Sequence, residues 1–285
     1  MIYMITIVLH SSKTMRQPDE FRRVNDFSAA HHTPLLHDEA ILLATYLKKL
    51  TLEQLQQVMK ISEVMAEKVH LQLQAWNESA PTLPTIDAFL GDIYSGLQVQ
   101  QLSKEDRAYA HEHLYILSGL YGVLRALDEI QPYRLEMGYK LLGNSHDISQ
   151  PNITSLYSFW GDRIARAFPN TSLIVNLSAV EYTKAVFSHF RSLEAYKGVT
   201  IVSPKFLTVS LKSGAPQFVT VHAKIARGAY ARWLIQQRVQ TLDALRDFSE
   251  LGYRYDASLS TPTEPVFVAE TFQGLGLSVR LSERA

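Results

Sequence analysis

Apolar residues fall along the chain in short blocks and in longer, spaced arrays, and these predict different elements. Ile2 to Leu9 is a β-branched apolar block that suits a central strand covered on both faces. Leu114 to Ser118 and Ser172 to Asn176 are two further buried strands. Val199 to Val202, Phe206 to Leu211 and Gln217 to Val221 also read as strands, with Lys212 to Gly214 turning the last two into a hairpin. Ile86 to Leu90 reads as a strand end before a polar turn spaced by Gly91 and Gly96. By contrast, Asp38 to Trp76 carries apolar residues at the three- and four-residue spacing of amphipathic helices. Thr51 with Gln54 forms a capping box and Ser62 offers a second cap, so two short helices meet near Lys60 to Ser62. Ser103 with Asp106 caps another helix reaching His113. Tyr157 to Phe168, Tyr182 to Phe190 and Ala223 to Arg238 are also helical. The pattern predicts an α+β (mixed α/β) fold over residues 1–285, a single compact domain. A central mixed β-sheet is flanked by helices, with a helical hairpin at about 38–76.

One stretch, Leu114 to Gly138, gathers glycine, aromatic, arginine and carboxylate positions more closely than any other. It reads as strand, glycine turn over Gly119 to Gly122, then a two-turn helix from Val123 to Ile130 placing Arg125 and Asp128 on one face. Pro132 stops that helix. Tyr133 to Met137 then alternates, putting Arg134 beside Glu136 on one face and Tyr133, Leu135 and Met137 on the other. Two meanings stay open here: ion pairs that buttress a turn, or a site.

Composition narrows the chemistry. With 285 residues, 46% hydrophobic and 20% charged, the chain is an ordinary globular protein. Lys plus Arg and Asp plus Glu are 28 each, so any nucleic-acid site must arise from local clustering. The absence of cysteine excludes disulfides, thiolate metal sites, iron-sulfur clusters and cysteine-based peroxide sensing. His31, His32 and His37 lie in a polar connection, and His111 and His113 are two apart on a helix, so neither set has metal-ligand spacing. No metal and no cofactor is expected. Met1 to Leu9 has no basic leader, and no stretch of ~20 apolar residues is present, so the expected location is cytoplasmic, with no membrane partner.

Candidate binding residues follow the strands. His10, Ser11, Ser12, Lys13 and Thr14 stand beyond the first strand, where open α/β sheets bind ligands. Asn176 and Glu181 stand beyond the strand ending at Asn176. Lys224, Arg227 and Arg238 recur at whole turns of one helix and make a basic stripe. Walker, dinucleotide, zinc and nucleophile-elbow motifs are absent, so no reaction is named.

The motif LSGLYGVLRALDEIQPYRLEMG resembles the signature of the bacterial YaaA family of peroxide-stress proteins, with Ala126 where the family usually has Pro. Lys13 with Thr14, GDIYSGL from Gly91, FWGD from Phe159, Asn176 with Glu181 and Tyr182, KIARG from Lys224, and Gly252 with Tyr253 resemble it in the same order. The resemblance implies a helix-hairpin-helix element, double-stranded DNA bound in a positively charged cleft, and a role in limiting iron-driven oxidative damage. On that reading Lys13, Lys60, Lys68, Arg125, Arg134, Lys224, Arg227 and Arg238 contact DNA or another anion. Asp92, Tyr121, Asp128, Glu136, Asn176 and Glu181 form a polar cluster in the cleft. No glycine lies between Lys60 and Lys68, where close phosphate approach would favour one. The alternative is an enzyme or binder of a small anionic ligand using Lys13, Tyr121, Arg125, Arg134, Glu136 and Lys224 at the strand ends. A monomer is expected in either case. The three basic groups Lys13, Arg125 and Arg134 are expected to converge at one edge of the sheet.

Overall fold

The computed structural model describes residues 3–20, 32–143 and 153–274. His31 and Ile2 lie outside them.

Strand β1 (Ile5–His10) is buried along its whole length. It forms the middle of a five-stranded sheet because its β-branched side chains can be covered on both faces. Next along the chain is a helical subregion, α1 (His37–Lys48), α2 (Leu52–Met59) and α3 (Glu63–Ala75). The expected capping box closes α2, with Thr51 Oγ1 accepting from Gln54 N at 3.3 Å and Gln54 Oε1 accepting from Thr51 N at 2.9 Å. Ser62 caps α3 through Met65 N. Between the two helices Lys60 takes the left-handed conformation at φ 52°, ψ 53°, the one a glycine would take without steric cost.

Strand β2 (Leu83–Pro84) leads to α4 (Thr85–Ala88) and α5 (Asp92–Leu97). These helices replace the strand end expected at Ile86 to Leu90 and the polar turn expected at Gly91 to Gly96. Gly96 and, in the long helix α10 (Thr220–Gln237), Gly228 let α5 and α10 cross in backbone contact. A Cβ at Gly96 would meet Ile225 O at 1.9 Å, and one at Gly228 would meet Ile93 O at 1.8 Å. Helix α10 also starts at Thr220, which shortens the strand expected at Gln217 to Val221 to its first residue.

Helix α6 (Lys104–His113), capped by Ser103 and Asp106 as expected, feeds β3 (Leu114–Ser118). Strand β4 (Gly122–Arg125) and a short β5 (Glu129–Ile130) stand where a helix is expected from Val123 to Ile130. Gly122, at φ +67°, ends a three-residue turn that returns the chain antiparallel onto β3, Ser118 facing Gly122. Val123 and Leu124 gain more as fully buried strand residues than in an isolated two-turn helix.

The remaining elements are α7 (Leu156–Trp160), α8 (Arg163–Ala167), β6 (Leu173–Asn176), α9 (Val180–Phe190), β7 (Thr200–Val202), β8 (Lys205–Val209), β9 (Pro216–Gln217), β10 (Tyr253–Tyr255) and β11 (Val266–Ala269). The principal sheet runs β4-β3-β1-β6-β7, mixed as expected: β3, β1, β6 and β7 are parallel and β4 antiparallel. A second sheet, β10-β11-β8-β9, includes the expected hairpin. Parallel β1, β3 and β6 deliver the residues that follow them to one edge of the principal sheet.

Candidate functional site

Beyond the carboxyl end of β1, Lys13 Nζ lies 2.8 Å from Glu136, which arrives on the segment after Pro132. Alternation from Tyr133 to Met137 holds: Tyr133, Leu135 and Met137 are buried and Arg134 and Glu136 face outward. The expected pairing of Arg134 with Glu136 does not form. Glu136 turns to Lys13, leaving Arg134 Nε buried without a hydrogen-bond partner. Burial and then the Glu136 charge push the Tyr139 hydroxyl up to about 12, while Arg134 acts the other way. A guanidinium part-buried without a carboxylate costs free energy that an incoming anion can recover.

Farther along the same edge, His10 stacks on Tyr182 at 4.9 Å between ring centres. Its Nδ1 accepts from Ala179 N at 3.2 Å and its carbonyl accepts from the Tyr94 hydroxyl at 2.9 Å. Burial, then the charges of Arg227 and Lys224, lower His10 to about 3, so the ring is neutral with its proton on Nε2. Ser11 donates to the Tyr182 hydroxyl at 3.3 Å, and Tyr133 shares a hydrogen bond with Ser118 Oγ at 2.6 Å. Burial raises the hydroxyls of Tyr94, Tyr133 and Tyr182 well above the usual tyrosine range, which keeps them protonated. Glu181 accepts from Gly138 N at 2.7 Å, which fixes the end of the Arg134 segment.

Lys13 and Arg134 also line one wall of a cleft of about 660 Å³ whose other wall is α3, with Met65, Lys68, Val69 and Gln72. Trp76, Pro81, Pro132 and Tyr133 supply an apolar floor. Its lining residues include the cations Lys13, Lys68 and Arg134 against a single carboxylate, Asp19.

The expected convergence of Lys13, Arg125 and Arg134 is corrected. Because β4 runs back antiparallel, Arg125 pairs with Tyr115 near the start of β3 and lines a separate hollow beside Met4, Thr6 and His113 at the amino edge. There it closes on Asp128: backbone N to Oδ2 at 2.8 Å, Nε to Oδ1 at 3.1 Å and Nη2 to Oδ1 at 3.0 Å. Tyr121 is buried behind the cleft, its hydroxyl accepting from Trp76 Nε1 and Gln131 N, each at 3.2 Å. The basic stripe also divides. Arg238 leaves the helix in the left-handed conformation, meets Asp106 at 2.8 Å and lies 4.3 Å from the Tyr109 ring centre, whereas Lys224 and Arg227 stay beside His10. Asp92 opens α5, and Asn176 binds Ser203 Oγ through Nδ2 and Ser178 N through Oδ1. Sequence reasoning missed Gln72, Trp76 and Tyr139. Gln72 sits on, and Trp76 just past, a helix whose apolar spacing marks only packing, and Tyr139 falls just past the motif.

The sequence profile described as peroxide stress protein YaaA matches residues 5–259. The chain belongs to that family. A UPF0246 protein of Salinispora tropica is 48% identical over 275 residues, 96% of this chain and 97% of the relative. Relatives of the same description from Dinoroseobacter shibae, 42% identical over 82% of this chain and 86% of theirs, and Ruegeria pomeroyi, 38% over 85% and 91%, are more distant. Membership supports a role in peroxide stress. Among the described residues no helix is long and apolar enough to cross a membrane.

Proposed function

We propose that this chain serves the peroxide-stress response by holding double-stranded DNA through its phosphates, without reading base sequence. The observation that carries the reading is the placement of Lys13 and Arg134 on one wall of the cleft and Lys68 on the other, in a molecule of zero formal net charge. Lys60, at the turn of the helical hairpin, is a further candidate phosphate contact outside the cleft lining. Lysines and arginines that contact phosphates position a protein on a duplex but carry no sequence information. Each neutralised phosphate also releases condensed cations. Iron(II) bound to the backbone would be displaced with them, and radical formation moved away from the DNA.

The test is fluorescence anisotropy with two duplexes of unrelated sequence across a salt series. Equal affinities that fall with salt are expected, and Lys68→Ala and Arg134→Ala should each lower the slope of log K against log salt by about one. No binding at low salt, or a strong preference between the sequences, would refute the reading.

A further inference from the structure

Two cations outside the cleft lack a counter-charge. Lys224 and Arg227 stand one turn apart on α10, and their charges act on His10 at the carboxyl end of β1. Neither makes a hydrogen bond or ion pair with the described residues, and neither lines the cleft. Arg227 is largely desolvated, with no acid acting to offset the burial. Lys224 and Arg227 are held there by the glycine-mediated crossing of α5 and α10, because Tyr94 of α5 reaches the His10 carbonyl at 2.9 Å.

The place matters as much as the charge. The crossover from β1 leads to β3 on one side of the sheet and that from β6 leads to β7 on the other, so the strand order reverses between β1 and β6. A crevice at the carboxyl ends of strands on either side of such a reversal is where open α/β sheets bind ligands. His10 ends β1 there with Nε2–H left to donate, because Nδ1 is taken by Ala179 N. Just beyond β6, Ser178 is 6% exposed and its hydroxyl has no partner, while its backbone is fixed by Asn176.

We propose that the carboxyl ends of β1 and β6 at this reversal hold a second anion site, which binds a phosphate monoester between Lys224, Arg227, His10 and Ser178. Two unpartnered cations match the double charge of a monoester better than the single charge of a backbone phosphodiester. A guanidinium fork with neutral N–H and O–H donors can satisfy its terminal oxygens. The site does not depend on the DNA reading, since it shares no residue with the cleft.

Thermal melting of the full chain in inorganic phosphate, against chloride at equal ionic strength, tests it. Phosphate is expected to raise the melting temperature in a saturable way. Arg227→Gln and Lys224→Gln should each weaken the response roughly tenfold or more. Lys68→Ala and Arg134→Ala should leave in place the part of the response that the α10 substitutions remove. Arg227→Gln removes a desolvated, unpaired cation and is expected to melt no lower than the parent chain. Lys224→Gln, titrated with phosphate by calorimetry, gives a second reading. No shift beyond that in chloride, or a shift that both α10 substitutions leave at full size, overturns the site. So does loss of duplex binding on either α10 substitution when phosphate itself has no effect, because those residues would then serve the DNA backbone.

Discussion

The two edges of the principal sheet hold the same ingredients and use them in opposite ways. At the amino edge, Arg125 gives Asp128 three N–H contacts between 2.8 and 3.1 Å, and the Asp128 side chain has no exposure. At the carboxyl edge, Glu136 takes Lys13 instead of its neighbour in sequence, and Arg134 Nε is buried with nothing to bind. A charge satisfied inside its own hairpin stabilises a turn. A charge whose nearest acid is engaged elsewhere stays open. The motif thus contains one closed ion pair and one cation without a carboxylate, and what separates them is the long-range contact from Lys13.

Removing one partner from each edge should break the symmetry of the sequence most visibly. Asp128→Ala strands Arg125 and an unpaired backbone N–H, and is expected to cost about 3 kcal/mol, at the low end for a broken buried pair because the Arg125 side chain is 26% exposed. Arg134→Ala should cost less than about 1 kcal/mol, since no carboxylate partner is lost and only the interaction with the Tyr139 hydroxyl goes. Urea denaturation of both variants measures the contrast, and equal losses would show that Arg134 is as structural as Arg125.

Acid should sharpen the same contrast. His10, held at about 3, is buried at the carboxyl edge, and the unfolded chain binds its proton first near an ordinary ~6.5. Its contribution is therefore present above ~6.5 and is lost as pH falls toward 3, at about 1.4 kcal/mol per pH unit. His111, lowered to about 4 by burial, then by Arg125 and His32, adds a loss of the same sign. Asp128, pushed up to about 6 by burial against the pull of Arg125, works in reverse and gains stability as pH falls from about 6 toward ~3.9. Between pH ~6.5 and ~4.5 the parent chain should lose about 2 kcal/mol more than His10→Asn, less than two full units of slope because the unfolded histidine is already half protonated at the upper limit. Denaturant midpoints across that range check this, and parallel profiles would remove His10 from the account.

Much of this was legible from residues close in sequence. The burial of Ile5 to His10, the caps at Thr51, Ser62 and Ser103, and the alternation from Tyr133 to Met137 all depend on neighbours within a few positions. What was not legible depends on distant partners. Val123 to Ile130 has helical spacing, but pairing with β3 outweighs two turns of helix. Gly91 and Gly96 resemble turn glycines, yet Gly96 exists for the approach of α10. The choice of Lys13 by Glu136, and with it the difference between Arg134 and Arg125, requires a residue far away in the chain to return along β1.

The smallest expected effect separates the hairpin from the cleft. Lys60 holds φ 52°, ψ 53° between α2 and α3, a conformation that costs a residue with a Cβ roughly 1 kcal/mol and costs glycine almost nothing. Glycine also loses more backbone freedom on folding, so Lys60→Gly should stabilise the protein by only about 0.5 to 1 kcal/mol. A rise in melting temperature with weaker duplex binding, and a salt slope reduced by about one, would mean that the lysine is kept for phosphate at the expense of a better turn. The same rise with unchanged DNA affinity would remove the hairpin turn from the interface and confine DNA contact to the cleft cations Lys13, Lys68 and Arg134. A fall in stability would mean that the Lys60 side chain does structural work that its exposed position gives no sign of.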